Sequence, residues 1–172
     1  QVHRRFMKSH LPINTLVFSE KAKYIYIGRD GRDVLLSLYN HHQKMKPDVI
    51  RDIDSAPERI GPPLGSAPGS VLQYFRDWIE RDGYPWWPYW EHILSWWNIR
   101  DLPNVMLLHF STLTKDMPGE IRRIAAFLDI EIDETLWNSI LDTCSFDYMK
   151  SHADMSIPYP VDIFDVDVES FL

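Results

Sequence analysis

A chain of 172 residues with 45% hydrophobic and 25% charged residues is one domain with enough apolar side chains for a proper core. Its net charge of −7 argues against broad binding to nucleic acid or an anionic membrane, though a few Arg and Lys suffice for one phosphorylated nucleotide. The single cysteine, Cys144, excludes an internal disulfide framework and fits a reducing compartment, and no apolar run approaches the ~20 residues of a membrane span.

Residues 4 to 8 read as a short extended piece that enters a loop at His10, and Pro12 stops any helix there. Lys8 and His10, two apart on an extended segment, point to one side. Residues 23 to 28, with clustered Tyr and Ile, read as a buried strand. Gly28-Arg29-Asp30-Gly31 then turns the chain into an amphipathic helix. Asp30 suits its N-cap and Asp33 its positive end, while Val34, Leu35, Leu38, Tyr39 and His42 make the apolar stripe. Strand, tight turn and helix N-terminus together form a common anion site of open α/β sheets. Arg29 at the strand end and Ser37, eight residues on, can hold a phosphate from two sides.

Residues 46 to 70 hold five prolines and three glycines without periodicity, and read as a long flexible loop, a lid or a disordered segment. Ser70 and Gln73 form a capping-box pattern that opens a helix burying Val71, Leu72, Phe75, Trp78 and Ile79. Gly83-Tyr84-Pro85 breaks it, and Pro88 starts another helix expected to bury Trp90, Ile93, Leu94 and Trp97. Residues 104 to 110 read as a second core strand. Residues 118 to 128 read as a helix with Ile121, Ile124, Ala125 and Leu128 inward, and Asp133 caps a last helix through Leu136, Ile140 and Leu141. The tail from 151 to 172 is acidic and irregular, and no internal repeat is visible. Strands alternating with helices imply a parallel α/β sheet. His92 and His109 read as packed structural residues, and no metal site is expected, His41-His42 having no ligand pair nearby at zinc spacing.

Five segments in order carry a resemblance: RFMKSHLP at 5 to 12 with Arg29 and Ser37 after it, then HILSWW at 92 to 97, KDMPGEIRRIAAFL at 115 to 128 and CSFDYMK at 144 to 150. Together they resemble the cytosolic-type sulfotransferases over essentially the whole chain. The resemblance implies a three-layer P-loop-type α/β fold, with a central parallel sheet flanked by helices, as a single domain over 1 to 172. It implies transfer of the sulfuryl group of 3′-phosphoadenosine 5′-phosphosulfate (PAPS) to a hydroxyl or amine, leaving the 3′,5′-bisphosphate PAP, without a metal. By resemblance His10 is the general base and Lys8 lines the site. Arg29 and Ser37 take the 3′-phosphate, and Phe110, Cys144 and Phe146 stand at the adenine contacts. Trp86, Trp87 and Tyr89 border the acceptor pocket, whose aromatic walls favour a small apolar or aromatic acceptor. A cytoplasmic location is implied.

Two family features are not found: the Gly-containing P-loop-like turn, several dozen residues before the KSHLP segment in relatives, and the C-terminal Arg-Lys-Gly segment. The expectation is a piece of a longer polypeptide, inactive as residues 1 to 172 alone. Homodimerisation stays open, because the short dimerisation motif of some relatives falls beyond this chain. A non-catalytic nucleotide-binding or scaffold protein stays open as the alternative. A small-molecule P-loop kinase is a third reading, in which the KSHLP histidine has no place.

Overall fold

Two apolar segments far apart in sequence, Tyr24–Gly28 (β1) and Val105–His109 (β2), pair as parallel strands, in register from Tyr24 opposite Val105 to Gly28 opposite His109. The structure is a computed structural model and describes residues 4–58, 61–152, 155 and 163–165. Parallel pairing demands a long crossover, and here the connection carries four helices. They are Gly31–Lys44 (α1), Pro47–Ser55 (α2), Val71–Glu80 (α3) and Tyr89–Trp97 (α4). After β2 come Phe110–Lys115 (α5), Met117–Phe127 (α6), Trp137–Thr143 (α7) and Phe146–Ser151 (α8). The expected α/β architecture, a parallel sheet flanked by helices, is present.

The β1–α1 junction forms as its residues require. The Asp30 carboxylate accepts the Arg32 N–H at 2.9 Å and so satisfies one orphan donor of the first turn. The buried stripe of α1 centres on Leu35 and His42, with Leu38 and Tyr39 partly covered. Leu35 meets Tyr74 and Trp78 of α3 in the main core cluster, and Tyr89 at the start of α4 packs against it.

The loop expected over 46 to 70 is corrected in its first part, where α2 forms. Pro47 sits in the first turn, where its missing N–H costs nothing, and Asp48 favours the positive end. The proline density of the wider window hid this helix. The remainder is tethered at several points. The Asp54 carboxylate accepts the N–H groups of Leu64 at 2.6 Å and Gly65 at 2.9 Å. His42 Nε2 lies 2.8 Å from the Gly65 carbonyl, and the Tyr84 hydroxyl donates to the Pro63 carbonyl at 2.7 Å.

Four further expectations are corrected. Ser70 stands at the N-cap of α3 but its side chain makes no cap bond, and Gln73 instead donates to Asp77. The buried face of α3 is Tyr74 and Trp78, while Val71, Leu72, Phe75 and Ile79 are exposed. On α4, Trp96 is buried and Trp90, Leu94 and Trp97 are each about half exposed. Tyr26 and Tyr24 of β1 decide that face, with ring centroids 5.4 and 6.0 Å from Trp96. Finally, β2 ends at His109, and Phe110 opens α5. His109 causes this, since its own Nδ1 accepts the Ser111 N–H at 3.3 Å and caps the helix.

Asp116 caps α6 through Gly119, and Asp133 opens a 3-10 turn, Glu134–Leu136, that leads into α7. The short α8 is an addition to the expected elements, opened by the Ser145 hydroxyl on the Tyr148 N–H. The irregular tail over 151 to 172 lies mostly outside the described residues. Within it Phe164 forms an antiparallel bridge with Met45.

Candidate functional site

The carboxyl ends of β1 and β2 open on a cleft of about 660 Å³, whose lining includes Tyr26, Arg29, Tyr89, Trp97, His109 and Arg123. The turn at its rim is built from short-range contacts. Arg32 grips the Asp30 carboxylate with two bonds, at 3.0 and 2.7 Å. Those bonds, with the Arg32 backbone N–H, hold the Asp30 carboxyl well below the usual carboxylate range. Asp30 is therefore ionised at any working pH and keeps the N-terminus of α1 in place.

Arg29 follows the last residue of β1. Its guanidinium lies over the Phe110 ring, 4.6 Å from the centroid, and its Nε is 3.6 Å from an Asp33 carboxylate oxygen. The second contact is longer than a hydrogen bond and the side chain is 40% exposed, so the donors of Arg29 remain available to an incoming anion. The Arg29 carbonyl accepts the Tyr89 hydroxyl at 2.9 Å. A Cβ at Gly31 would lie 3.3 Å from the Tyr89 ring, a tight contact that a larger residue would press against that ring.

A second group of residues meets at the loop before β1. His10 stacks on Trp87, with centroids 5.9 Å apart and planes 25° from parallel. Partial burial, and then the Lys8 charge, hold the His10 pKa below its ordinary 6.5. The ring is thus neutral near pH 7 and able to accept a proton. The loop is docked on α4, where Ser95 Oγ accepts the Ile13 N–H at 3.2 Å and donates to the His92 carbonyl at 2.7 Å. Tyr26 links the two groups, since it lines the cleft and its hydroxyl is 3.4 Å from His92 Nδ1.

The structure thus brings Arg29 to Phe110, His10 to Trp87, and Lys8 within electrostatic reach of His10. It places Tyr89 at the Arg29 turn, so that residue serves the rim of the cleft. Trp86 turns away into the core, where its indole N–H donates to the Tyr74 hydroxyl at 2.9 Å. Ser37 lies farther along α1, outside the cleft lining, and its carbonyl is engaged by His41. Cys144, exposed at the end of α7, and Phe146, at the start of α8, also lie outside that lining.

His109 is corrected from a packed residue to an exposed one that lines the cleft. Its place at the carboxyl end of a parallel strand was the signal that could have found it. Arg123 was also missed. It reaches back from α6 to donate to the Leu107 carbonyl at 3.2 Å and to pair with Glu120, and no local pattern announces this. Among the described residues no group of three or more His, Cys, Asp or Glu could hold a metal ion, and no helix is long and apolar enough to cross a membrane.

The chain is similar to known proteins. A glycolipid sulfotransferase of Mycobacterium bovis is 33% identical over 184 residues, covering 94% of this chain and 56% of the relative. Luciferin sulfotransferase of Photinus pyralis is 31% identical over 153 residues, covering 86% and 36%. The chain therefore spans about half, or less, of the length of these curated relatives. Among solved structures, retinol dehydratase with androsterone and the inactive cofactor PAP superposes with a TM-score of 0.70 at 24% identity, over 96% of this chain and 46% of the other. A mouse sulfotransferase complexed with PAP gives 0.63 at 23% identity, over 83% and 46%. At that identity these two speak for the fold. The family profile of the sulfotransferase domain matches residues 1–172, the full length of the chain, so the sheet-end cleft and the loop beside it are those of a member of the sulfotransferase domain family.

Proposed function

We propose that the intact protein transfers the sulfuryl group of PAPS to a hydroxyl or amine of a small apolar or aromatic acceptor, in the cytoplasm. The observation that carries this reading is Arg29, held over Phe110 at the rim of the cleft with its guanidinium donors available. A guanidinium so placed suits a phosphate monoester, and the Phe110 ring suits a purine face. PAPS would supply the activated sulfuryl group. Arg29 and Phe110 would hold its nucleotide end, with Ser37, Cys144 and Phe146 as further contacts by family resemblance.

His10 takes the acceptor's proton as the acceptor oxygen or nitrogen bonds to sulfur. The bond from sulfur to the bridging phosphate oxygen breaks in line, and PAP leaves with that electron pair. The Lys8 ammonium, near His10, offsets negative charge around the transferred group. Trp87, stacked on His10, forms an aromatic wall for the acceptor.

The test is a thermal-shift titration of the full-length protein with PAP and with AMP, beside Arg29→Ala. PAP at about a hundred times its Kd should stabilise the native protein by roughly 2.7 kcal/mol. AMP, without the 3′-phosphate, should stabilise it far less. Losing charge-assisted bonds worth about 1.5–3 kcal/mol, Arg29→Ala should weaken PAP by roughly 10- to 150-fold and leave AMP unchanged. Equal PAP and AMP shifts in both proteins would remove the 3′-phosphate contact at Arg29, and no shift with either would remove the nucleotide reading.

A further inference from the structure

His92 is a titratable side chain that the sulfuryl-transfer chemistry leaves unused, and it lies between the two halves of the site. Its ring packs on Tyr26, with centroids 5.6 Å apart, and its Nδ1 is 3.4 Å from the Tyr26 hydroxyl. Burial pushes Tyr26 up to about 12, so that hydroxyl keeps its proton and is able to donate it to Nδ1. A proton offered to Nδ1 leaves the neutral ring with its own N–H on Nε2. Nε2 is buried and makes no hydrogen bond of good geometry among the described residues, but the His10 and Leu11 backbone lies close enough to favour a proton on the ring, so an N–H there is what faces the turn.

The helix that carries His92 supports the same loop at two other points. Ser95, one turn on, holds Ile13, and Trp87, just before the helix, stacks on His10. We propose that His92 is a positioning residue for His10: fixed in one tautomer by Tyr26, it seats the turn of residues 9 to 12 on α4 and so aims the His10 ring into the site. This rests on the reading of His10 as the base. The groups facing His92 are Tyr26 from β1 and His10 from the loop, with Lys8 behind His10 and Tyr89 beside Tyr26. Burial and the His10 charge hold the His92 pKa below 6.5, which keeps the ring neutral as the arrangement requires.

The test uses the full-length protein with ¹³C-labelled histidine. The titration midpoint of His10 is read by NMR, and sulfation of 1-naphthol from PAPS is followed in parallel. In His92→Phe, the loosened turn exposes His10, so its midpoint should rise toward 6.5, the ordinary value. The same variant should lose about 10- to 100-fold in kcat, the scale of a small misplacement of a reacting group, with KM for PAPS unchanged. His92→Gln places an amide N–H near the position of Nε2 and should restore most of both. Tyr26→Phe, which deletes only the hydroxyl, should shift the His10 midpoint in the same direction and serves where His92→Phe does not fold.

An unchanged His10 midpoint in folded His92→Phe or Tyr26→Phe overturns the proposal. So does His92→Gln behaving no better than His92→Phe, which would mark a packing role alone. The parent reading fails separately: full activity in His10→Ala would remove the base while leaving the NMR result as it stands.

Discussion

The rim at Arg29 and the wall at His10 are built in opposite ways. The turn of the rim is local. Gly28 closes a strand and Asp30 caps a helix through Arg32, all between neighbours, while β2, Phe110 and Tyr89 complete the rim from farther along the chain. The wall is assembled from a loop before β1, the segment between α3 and α4, and α4 itself. Single contacts join them: His10 on Trp87, Ile13 on Ser95, Tyr26 on His92. A site of the first kind is lost in one step, when its key side chain is removed. A site of the second kind loosens by degrees, because each tether carries part of the geometry.

The largest effect that separates the two should come from His10→Ala. Loss of a general base costs about 10²- to 10⁴-fold in turnover, while PAP binding at the rim should stay as in the native protein. If PAP binding falls in parallel with turnover, the rim and the wall are one unit and the contrast collapses. Next in size is Gly83→Ala. Gly83 has φ of +92°, and a Cβ there would lie 2.4 Å from the Trp87 carbonyl oxygen. A non-glycine residue forced into that region costs about 1–3 kcal/mol, visible as a lower urea midpoint. The displaced Trp87 should then reduce turnover more than PAP binding, and the reverse order would count against the contrast.

The smallest effect expected is a shift in a pH profile. The Lys8 ammonium disfavours a second positive charge on His10 and so depresses its pKa. Lys8→Ala should therefore move the acid limb of kcat/KM upward, toward 6.5. Activity should fall at pH values below that point, apart from any uniform loss caused by missing charge stabilisation. An acid limb that stays in place would detach Lys8 from His10.

The same contrast explains what could be read in the sequence. The β1–turn–α1 unit was legible because its determinants are neighbours: clustered Tyr and Ile, a glycine, a capping Asp and a helical stripe. On α4, YWEHILSWW is apolar around most of its circumference, so periodicity favoured the face of Trp90, Leu94 and Trp97. The buried face is that of Trp96, because Tyr24 and Tyr26 lie there. The same limit hid the pairing of Phe110 with Arg29 as a physical contact, and the reach of Arg123 into the cleft. Motif resemblance brought Phe110 to notice. Nothing local marked Arg123, whose role depends on where α6 docks.

The absence of a side chain at Gly31 has a consequence for descent. The Tyr89 ring fills that space, and its hydroxyl reaches the Arg29 carbonyl. A mutation that enlarges residue 31 pushes the ring, and a mutation that shrinks residue 89 leaves a hole above the turn. Together they refill the space, although the bond to the Arg29 carbonyl is not restored. Positions 31 and 89 should therefore change together among related chains, so that the start of α4 inherits a constraint from the turn after β1.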